Sequence, residues 1–184
     1  MSGLVATVDA CYGDESALVA CVVFGEWGAS TPDNVVTAQV DGISAYHPGA
    51  FYKRELPVLL AVLRKIKEPL RAVIVDGYVW LDARQTPGLG AHLHDALLRR
   101  VPVIGVAKTP FRGDDWSRRV MRGKSRRPLF VTAAGYPSDE AAEAIRTMHG
   151  DSRIPTMLRL ADHAARTRPG SLRRRMASPL AGDN

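Results

Sequence analysis

The chain has 184 residues, and its 25 Lys and Arg against 19 Asp and Glu give a formal net charge of +6. This length fits one domain, and 46% hydrophobic with 24% charged residues is typical of a globular protein with a full core. No apolar run reaches the roughly 18 residues that a membrane-spanning helix needs, and two cysteines exclude a disulfide framework. The first residues lack the basic and apolar regions of a signal peptide, so we expect a cytoplasmic protein with no membrane partner.

The apolar pattern alternates between strand and helix spacing along the chain. Gly13 to Glu15 separate the first two predicted strands, which indicates a hairpin. The leucines from Leu56 to Leu63, together with Ile66, recur at the spacing of an amphipathic helix. Hairpin strands followed by alternating helices and strands predict an α/β domain with a mixed sheet flanked by helices. Strands are predicted at 4–10, 17–24 and 35–40, a helix at 52–67, a strand at 72–75, a helix at 89–99, strands at 101–106 and 129–132, and helices at 138–148 and from about Pro155 onward.

The positive charge is concentrated in two places. Seven Lys and Arg residues lie in the basic segment, residues 112–127, and a second group lies close to the carboxyl terminus. Clustered positive charge attracts a polyphosphate backbone, which indicates nucleic acid as a partner. Two solvated loops would explain the same charge. Because apolar periodicity stops after Pro169, we expect one domain over 1–169 and a flexible basic tail over 170–184.

Three carboxylates occupy the ends of predicted elements. Asp9 lies near the end of the first strand, Glu55 in the first turn of a helix, and Asp76 at the end of a β-branched strand. If the first and fourth strands are neighbours, these acids converge at one edge of the sheet. Clustered carboxylates repel one another and need a divalent cation to be ionised together, and hard oxygen ligands favour Mg²⁺ or Mn²⁺ over zinc. Taken singly, the same acids are equally typical of strand-end and helix-end caps.

The order of these acids is similar to that in the ribonuclease H-like nucleases, and five stretches of sequence resemble the endonuclease V family, which recognises deoxyinosine. The stretches span nearly the whole chain in the family's order. IGVAK and the YxPGxxxxRE pattern are the most specific of them, whereas an Asp-Gly after a strand is weak. The matching residues are VDACY at 8–12, AYHPG at 45–49 with KRELP at 53–57, VDG at 75–77, PVIGVAK at 102–108, and RIP at 153–155 through RLAD at 159–162.

The resemblance implies a ribonuclease H-like fold, a catalytic domain over 1–169 and a metal-dependent endonuclease of DNA repair. Such an enzyme uses Mg²⁺, with Mn²⁺ as a substitute, to cut at the second phosphodiester 3′ to deoxyinosine and leaves 3′-hydroxyl and 5′-phosphate ends. It implies metal binding by Asp9, Glu55 and Asp76. Asp162 and Lys108 then match further catalytic positions, the lysine beside the scissile phosphate.

The resemblance also implies contacts to nucleic acid. A wedge loop beside the lesion would unstack a base step and let the base leave the duplex, and the basic segment would track the phosphate backbone. His47, within the wedge, would stack on a base or simply be exposed. Residues assigned to these contacts are Tyr46, His47, Pro48 and Gly49 in the wedge, Gly77 in the loop after Asp76, and Arg118, Arg119 and Arg122 in the basic segment.

The loop after Asp76 departs from the family pattern. Where the family usually reads DGHGxxHPR, residues 76–84 read DGYVWLDAR, without either histidine or the second glycine. Because this loop would shape the base pocket, the metal chemistry is better supported than the inosine specificity. Two alternatives therefore stay open: a nuclease of the same fold acting on inosine-containing RNA or branched DNA, and a catalytically silent module that binds nucleic acid. We expect a monomer with DNA as the preferred substrate.

Overall fold

The computed structural model describes residues 3–43, 51–112 and 115–167. Within these residues the chain forms a single sheet of seven strands with four helices packed on it. In chain order the elements are β1 (Leu4–Tyr12), β2 (Ser16–Phe24), β3 (Asn34–Asp41), α1 (Phe51–Leu63), β4 (Leu70–Asp76), α2 (Leu89–Ala96), β5 (Val103–Ala107), β6 (Arg118–Val120), β7 (Leu129–Ala134), α3 (Ser138–Thr147) and α4 (Thr156–Arg166).

The sheet is mixed, with strand order β3-β2-β1-β4-β5-β7-β6. The first three strands form an antiparallel meander, and β1 then pairs in parallel with β4, whose other neighbour β5 is also parallel. This confirms the predicted α/β fold with a mixed sheet, and the first and fourth strands are neighbours, which is the condition on which the acids were expected to converge. Because β1, β4 and β5 run in the same direction, their carboxyl ends meet at one edge of the sheet.

Apolar side chains cover both faces of the central strands. One face packs beneath α1 and α2 around residues such as Val73 and Val75, and the other packs beneath α3 and α4 around Ile74 and Ile104. Strands buried on both faces read as continuous apolar runs, which explains the β-branched run at the end of β4. Asp76 is the last residue of β4, and Asp9 follows Val8, the last residue of β1 that pairs with β4.

Several elements differ from the sequence prediction; α1, for example, ends at Leu63 rather than at residue 67. The basic segment contains a strand that the sequence analysis did not predict, β6, which pairs antiparallel with β7 at the outer edge of the sheet. Three residues with two adjacent arginines give no periodic signal, and charged residues are common on edge strands. The second helix ends earlier than predicted because Leu98 and Arg99 adopt positive φ angles of 55° and 57°. None of the helices in the described ranges is long and apolar enough to cross a membrane.

The loop after Asp76 lies directly on β5. A Cβ atom added at Gly105 would stand 2.5 Å from the Gly77 carbonyl oxygen and 2.8 Å from the Val79 nitrogen, so only glycine permits this approach. Gly77 itself has φ +132°, a conformation that favours glycine. The Val79 N–H donates to the Thr132 hydroxyl at 2.8 Å, which ties the loop to β7. These contacts fix the backbone that follows Asp76.

Candidate active site

The five predicted catalytic residues face one cleft at the carboxyl edge of the parallel strands. Asp9 comes from β1, Asp76 from the end of β4, and Lys108 follows β5, while Glu55 and Asp162 come from α1 and α4. The cleft has a volume of about 360 Å³, and we call it the acidic cleft. Its complete lining is Val8, Asp9, Ala10, Glu55, Leu59, Val75, Asp76, Leu89, Lys108, Asp162 and Arg166.

Burial and mutual repulsion disfavour the charged forms of two of these acids. Burial, followed by the charges of Asp9 and Asp76, raises the pKa of Glu55 to about 8. Burial, followed by the charge of Asp76, raises the pKa of Asp9 to about 6. Such high pKa values mean that the positive charge near these carboxyl groups is too small to keep both of them ionised at neutral pH. The cleft therefore has the electrostatics of a site that a cation would complete.

Two basic side chains neutralise the other two acids. The Lys108 ammonium donates to Asp76 Oδ2 at 2.5 Å. Burial lowers the pKa of Lys108, but the Asp76 hydrogen bond and charge outweigh it and the net shift is upward. Arg166 donates to Asp162 Oδ1 at 2.7 Å, and this hydrogen bond lowers the pKa of Asp162. At neutral pH the cleft thus holds an ionised Asp162 within hydrogen-bonding reach of the more readily protonated Asp9.

The donor set fits a hard divalent cation, although the side chains do not yet enclose one. Within the described ranges, no three His, Cys, Asp or Glu side chains converge closely enough to hold a metal ion. Three carboxylates nevertheless face one cleft, and carboxylate oxygen is the ligand type that Mg²⁺ prefers. The buried hydroxyl of Tyr12 lies next to Glu55, where a hydrogen bond from it lowers the pKa of that carboxyl and so favours the ionised form that a metal needs. These observations are consistent with the predicted metal ligands Asp9, Glu55 and Asp76.

The sequence analysis missed three residues at the cleft. Arg166 lines it and pairs with Asp162 four positions earlier on α4, so the helical spacing was a usable signal. Tyr12 follows Asp9 on β1 and reaches Glu55, which the sequence pattern does not indicate. Arg153 donates to the carbonyl oxygen of Lys108 and, at 2.7 Å, to that of Pro128. Its link to Lys108 joins segments 45 residues apart and leaves no local signal.

The residues predicted to contact nucleic acid fall into two groups. The wedge residues Tyr46, His47, Pro48 and Gly49 lie outside the described residues, so their assignment stays a prediction. Gly77 follows Asp76 but does not line the acidic cleft, so its contact to nucleic acid stays a prediction. Arg118 and Arg119 are exposed on β6, where Arg118 pairs with Asp139 at 2.5 Å.

The assignment of Arg122 to nucleic-acid binding is corrected by its burial. The residue is only 6% exposed, and its guanidinium donates to five backbone carbonyl oxygens from the chain between α3 and α4 and the end of α3. A guanidinium committed to these acceptors is not free to bind a phosphate. The acceptors belong to Arg146, Met148, Gly150, Ser152 and Arg153.

Aromatic side chains hold the divergent loop after Asp76. The Tyr78 hydroxyl donates to the Thr109 carbonyl at 3.1 Å and accepts from the Phe111 N–H at 3.2 Å, which ties this loop to the one after Lys108. The Trp80 indole donates to the Ala133 carbonyl at 2.8 Å. Tyr78, in the place of the first absent histidine, is therefore a packed aromatic residue, whereas Asp82 takes the place of the second.

Comparison with known proteins connects this chain to one family. The family model for endonuclease V matches residues 2–132. The endonuclease V of Streptomyces avermitilis is 37% identical over 153 residues, which is 81% of this chain and 62% of that protein. The chain thus spans about three fifths of the length of the curated relatives it matches.

Solved structures agree with the sequence comparison. The crystal structure of the Streptomyces avermitilis endonuclease V is 28% identical with a TM-score of 0.72, covering 96% of this chain and 84% of that one. The endonuclease V of Ciona intestinalis, solved with a 24mer DNA containing an inosine followed by a ribo-adenosine, is 19% identical and has the same fold, with a TM-score of 0.73 over 94% of this chain and 87% of its own. From the family model and the shared fold, the chain belongs to the endonuclease V family.

Proposed function

We propose that this protein is a metal-dependent endonuclease that cuts a nucleic acid strand at the second phosphodiester 3′ to deoxyinosine. The observation that carries the proposal is the acidic cleft, where Asp9, Glu55, Asp76 and Asp162 meet beside Lys108 in a chain of this family. Nucleases of the family generally depend on a metal. A pure binding module has no use for an acidic cluster facing a phosphate backbone, because the like charges repel.

Asp9, Glu55 and Asp76 would hold the metal, for which we propose Mg²⁺, with Mn²⁺ able to substitute. When bound, such an ion would supply positive charge against a phosphate oxygen and lower the pKa of a nearby water. Binding requires these carboxylates to be ionised, so the raised pKa values of Asp9 and Glu55 would fall on metal binding. The Tyr12 hydroxyl, buried next to Glu55, would orient that carboxylate.

The remaining groups act on the phosphate and on protons. Lys108 lies at the cleft with its ammonium on Asp76, where it would neutralise charge that develops on the attacked phosphate. Asp162 is ionised because Arg166 donates to it, and its carboxylate would accept a proton from the attacking water. Arg166 would keep Asp162 deprotonated and oriented.

Deoxyinosine is the proposed lesion because of the family, and the wedge segment is proposed to open the strand beside it. Tyr46, His47, Pro48 and Gly49 carry the wedge assignment, and Arg118 and Arg119 would contact the backbone. The Ciona intestinalis relative was solved with DNA in which a ribo-adenosine follows the inosine. This supports testing RNA and mixed strands as the second candidate substrate.

A gel assay on inosine-containing oligonucleotides tests the proposal. Paired DNA, RNA and mixed strands, each with and without one inosine, are incubated with the full chain in Mg²⁺ or in EDTA. We expect a nick one nucleotide beyond the inosine that requires both Mg²⁺ and the inosine. The DNA and RNA strands run in parallel then assign the substrate.

Each other outcome removes a defined part of the proposal. Metal-dependent cutting that ignores inosine would retain the nuclease and reject the lesion. Cutting in EDTA would reject the metal assignment. Binding without any cutting, in Mg²⁺ or Mn²⁺, would favour the silent binding module.

A further inference from the structure

A second cavity adjoins the acidic cleft on the side of α4. It has a volume of about 100 Å³ and shares Asp9, Asp76, Lys108 and Asp162 with the acidic cleft. It lacks Glu55, and its remaining wall includes Ile154, Leu158 and Arg159. The chain thus forms two neighbouring compartments on one set of acids, only the first of which the proposed chemistry uses.

Arg159 is the basic group that distinguishes this cavity. It is exposed, and the described residues offer its guanidinium neither an ion pair nor a hydrogen bond. The carboxylate nearest along the helix is that of Asp162, whose Oδ1 already accepts two hydrogen bonds from Arg166, at 2.7 and 3.0 Å. Lys108 is likewise occupied by Asp76. The cavity therefore presents one guanidinium that the fold does not neutralise.

The surroundings of Arg159 favour a bound anionic ligand rather than an ion pair within the protein. Arg122 lies close enough that the charge of Arg159, after burial, lowers its pKa. Arg159 is also the fourth residue of α4, near the positive end of the helix dipole. Positive charge from these sources accumulates at the mouth of a cavity whose other side is acidic. A ligand that reaches from the acidic side to Arg159 must therefore carry a negative group a short distance from its reacting group.

The apolar wall indicates what lies between those two groups. Ile154 and Leu158 are half-buried and line the same cavity as Arg159. A sugar ring has apolar faces that pack on such side chains, whereas its phosphate needs the guanidinium. A nucleic acid strand has this order of groups: the attacked phosphate would lie in the acidic cleft, the sugar on Ile154 and Leu158, and the next phosphate at Arg159.

We propose that the cavity lined by Arg159, Ile154 and Leu158 is a subsite for the phosphate next to the attacked one on the bound strand, with Arg159 as its ligand. The inference rests on the proposed function, since it needs a strand whose attacked phosphate lies in the acidic cleft. The subsite would set the position of the strand relative to Asp76 and Lys108, and it requires no base contact.

The test pairs a side-chain change with the neutralisation of single phosphates. Binding of the full chain to inosine-containing oligonucleotides is measured by fluorescence anisotropy in Ca²⁺, a hard divalent cation that offsets the charge of the acids in the cleft, with methylphosphonate replacing one linkage at a time. We expect Arg159→Ala to raise Kd about tenfold, because one charge-assisted contact is lost, and to reduce the slope of log K against log salt by about 0.7–0.9. One methylphosphonate adjacent to the scissile linkage should weaken wild type by the same factor and leave Arg159→Ala unaffected.

Arg100→Ala is the matched control. Arg100 is also exposed, but it precedes β5 and so lies at the opposite edge of the sheet from the cleft. We expect this variant to bind like wild type and to respond to every methylphosphonate as wild type does. Equal melting temperatures of the two variants would exclude a folding effect, and Arg159→Lys should recover part of the affinity.

Two results would overturn the subsite. In one, Arg159→Ala and Arg100→Ala bind alike; in the other, the loss from Arg159→Ala adds to that from every methylphosphonate, which would mean a diffuse charge effect. Failure of the proposed function is a separate observation, namely the absence of any nick by wild type in Mg²⁺. The binding measurements remain decisive in that case, because they do not depend on turnover.

Discussion

The acidic cleft and the basic segment arrange their charged residues in opposite ways. In the acidic cleft, Asp9, Asp76 and Asp162 come from β1, β4 and α4 and meet in one cavity. In the basic segment, Arg118 and Arg122 are close in sequence, yet one is exposed on an edge strand and the other is buried against carbonyl groups. Sheet topology joins the first group, and local strand geometry separates the second.

A run of charged residues does not by itself show where in the fold each side chain lies. An acid at the end of a buried strand has its position fixed by the strand's neighbours, so its partners follow from topology. Arg118 has its position fixed by the three-residue strand β6, whereas Arg122 follows the end of that strand, and a strand this short gives no signal in the sequence. Four experiments test this difference between the two regions.

The largest effect is expected from Asp76→Asn in the acidic cleft. Losing this carboxylate removes a proposed metal ligand and the partner of Lys108, and metal catalysis supplies several kcal/mol, so cleavage should fall about a thousandfold or more. Single-turnover cleavage at saturating Mg²⁺ measures this, with binding largely retained. Asp95→Asn, an exposed acid on α2, should leave the rate unchanged. Turnover within tenfold of wild type would reject the assignment.

In the basic segment, Arg122→Ala should mainly affect stability. Five backbone carbonyls lose their donor, and unsatisfied buried groups are costly, so we expect the free energy of unfolding to fall by about 3 kcal/mol. Urea denaturation measures it. Arg118→Ala removes an exposed ion pair and should cost less than about 0.5 kcal/mol. Equal losses would show that the two arginines are not separated as the fold indicates.

Arg153 links the two regions, and Arg153→Ala should have a smaller effect on cleavage, seen in kcat. Arg153 donates to the carbonyl oxygens of Lys108 and Pro128, so its loss frees the backbone that presents the lysine. We expect kcat to fall about tenfold with KM nearly unchanged, since a misplaced catalytic group costs rate rather than binding. Arg127→Ala, an exposed arginine of the basic segment, should leave kcat unchanged and raise KM. The reverse pattern for Arg153 would assign it to binding.

The pH dependence of stability should come from the acidic cleft. The pKa of Glu55 is raised from 4.5 to about 8 by burial and by Asp9 and Asp76, so the folded chain holds a proton that the unfolded chain has released. In EDTA, the stability present at low pH is therefore lost as the pH rises from about 4.5 through about 8. Urea denaturation across this window should show Glu55→Gln losing less stability than wild type.

Two comparisons sharpen the pH measurement. Glu140→Gln, an exposed acid on α3, should follow the wild-type profile. Mg²⁺ should restore stability to wild type at high pH more than to Glu55→Gln, because the ion offsets the repulsion among the carboxylates. Parallel profiles for wild type and Glu55→Gln would remove Glu55 from the buried cluster.

The fold and the positions of Asp9 and Asp76 could be predicted because both depend on long apolar strands, whereas Asp162 and Lys108 were assigned only through the family resemblance. The β-branched run that ends in Asp76 and the hairpin that carries Asp9 are each strong patterns, and their parallel pairing brings the acids together. Sequence reasoning did not reach Arg122 or Arg153, whose partners are backbone carbonyls in a distant loop. Every residue has a backbone carbonyl, so the sequence does not show which carbonyls accept a hydrogen bond from an arginine. The three-residue strand β6 was missed for a related reason, because it forms by pairing with β7 and not from a pattern of its own.

The position of α4 has a consequence for the nascent chain. This helix packs against β1 and β2, with Ala164 and Ala165 buried on Ala20, and it alone brings Asp162 and Arg166 to the cleft. Every other wall of the cleft is encoded before residue 109. During synthesis the sheet therefore has its acids and its lysine long before α4 emerges from the ribosome, and the cleft is completed only when α4 docks. The cleft therefore lacks one wall until residue 166 has been translated.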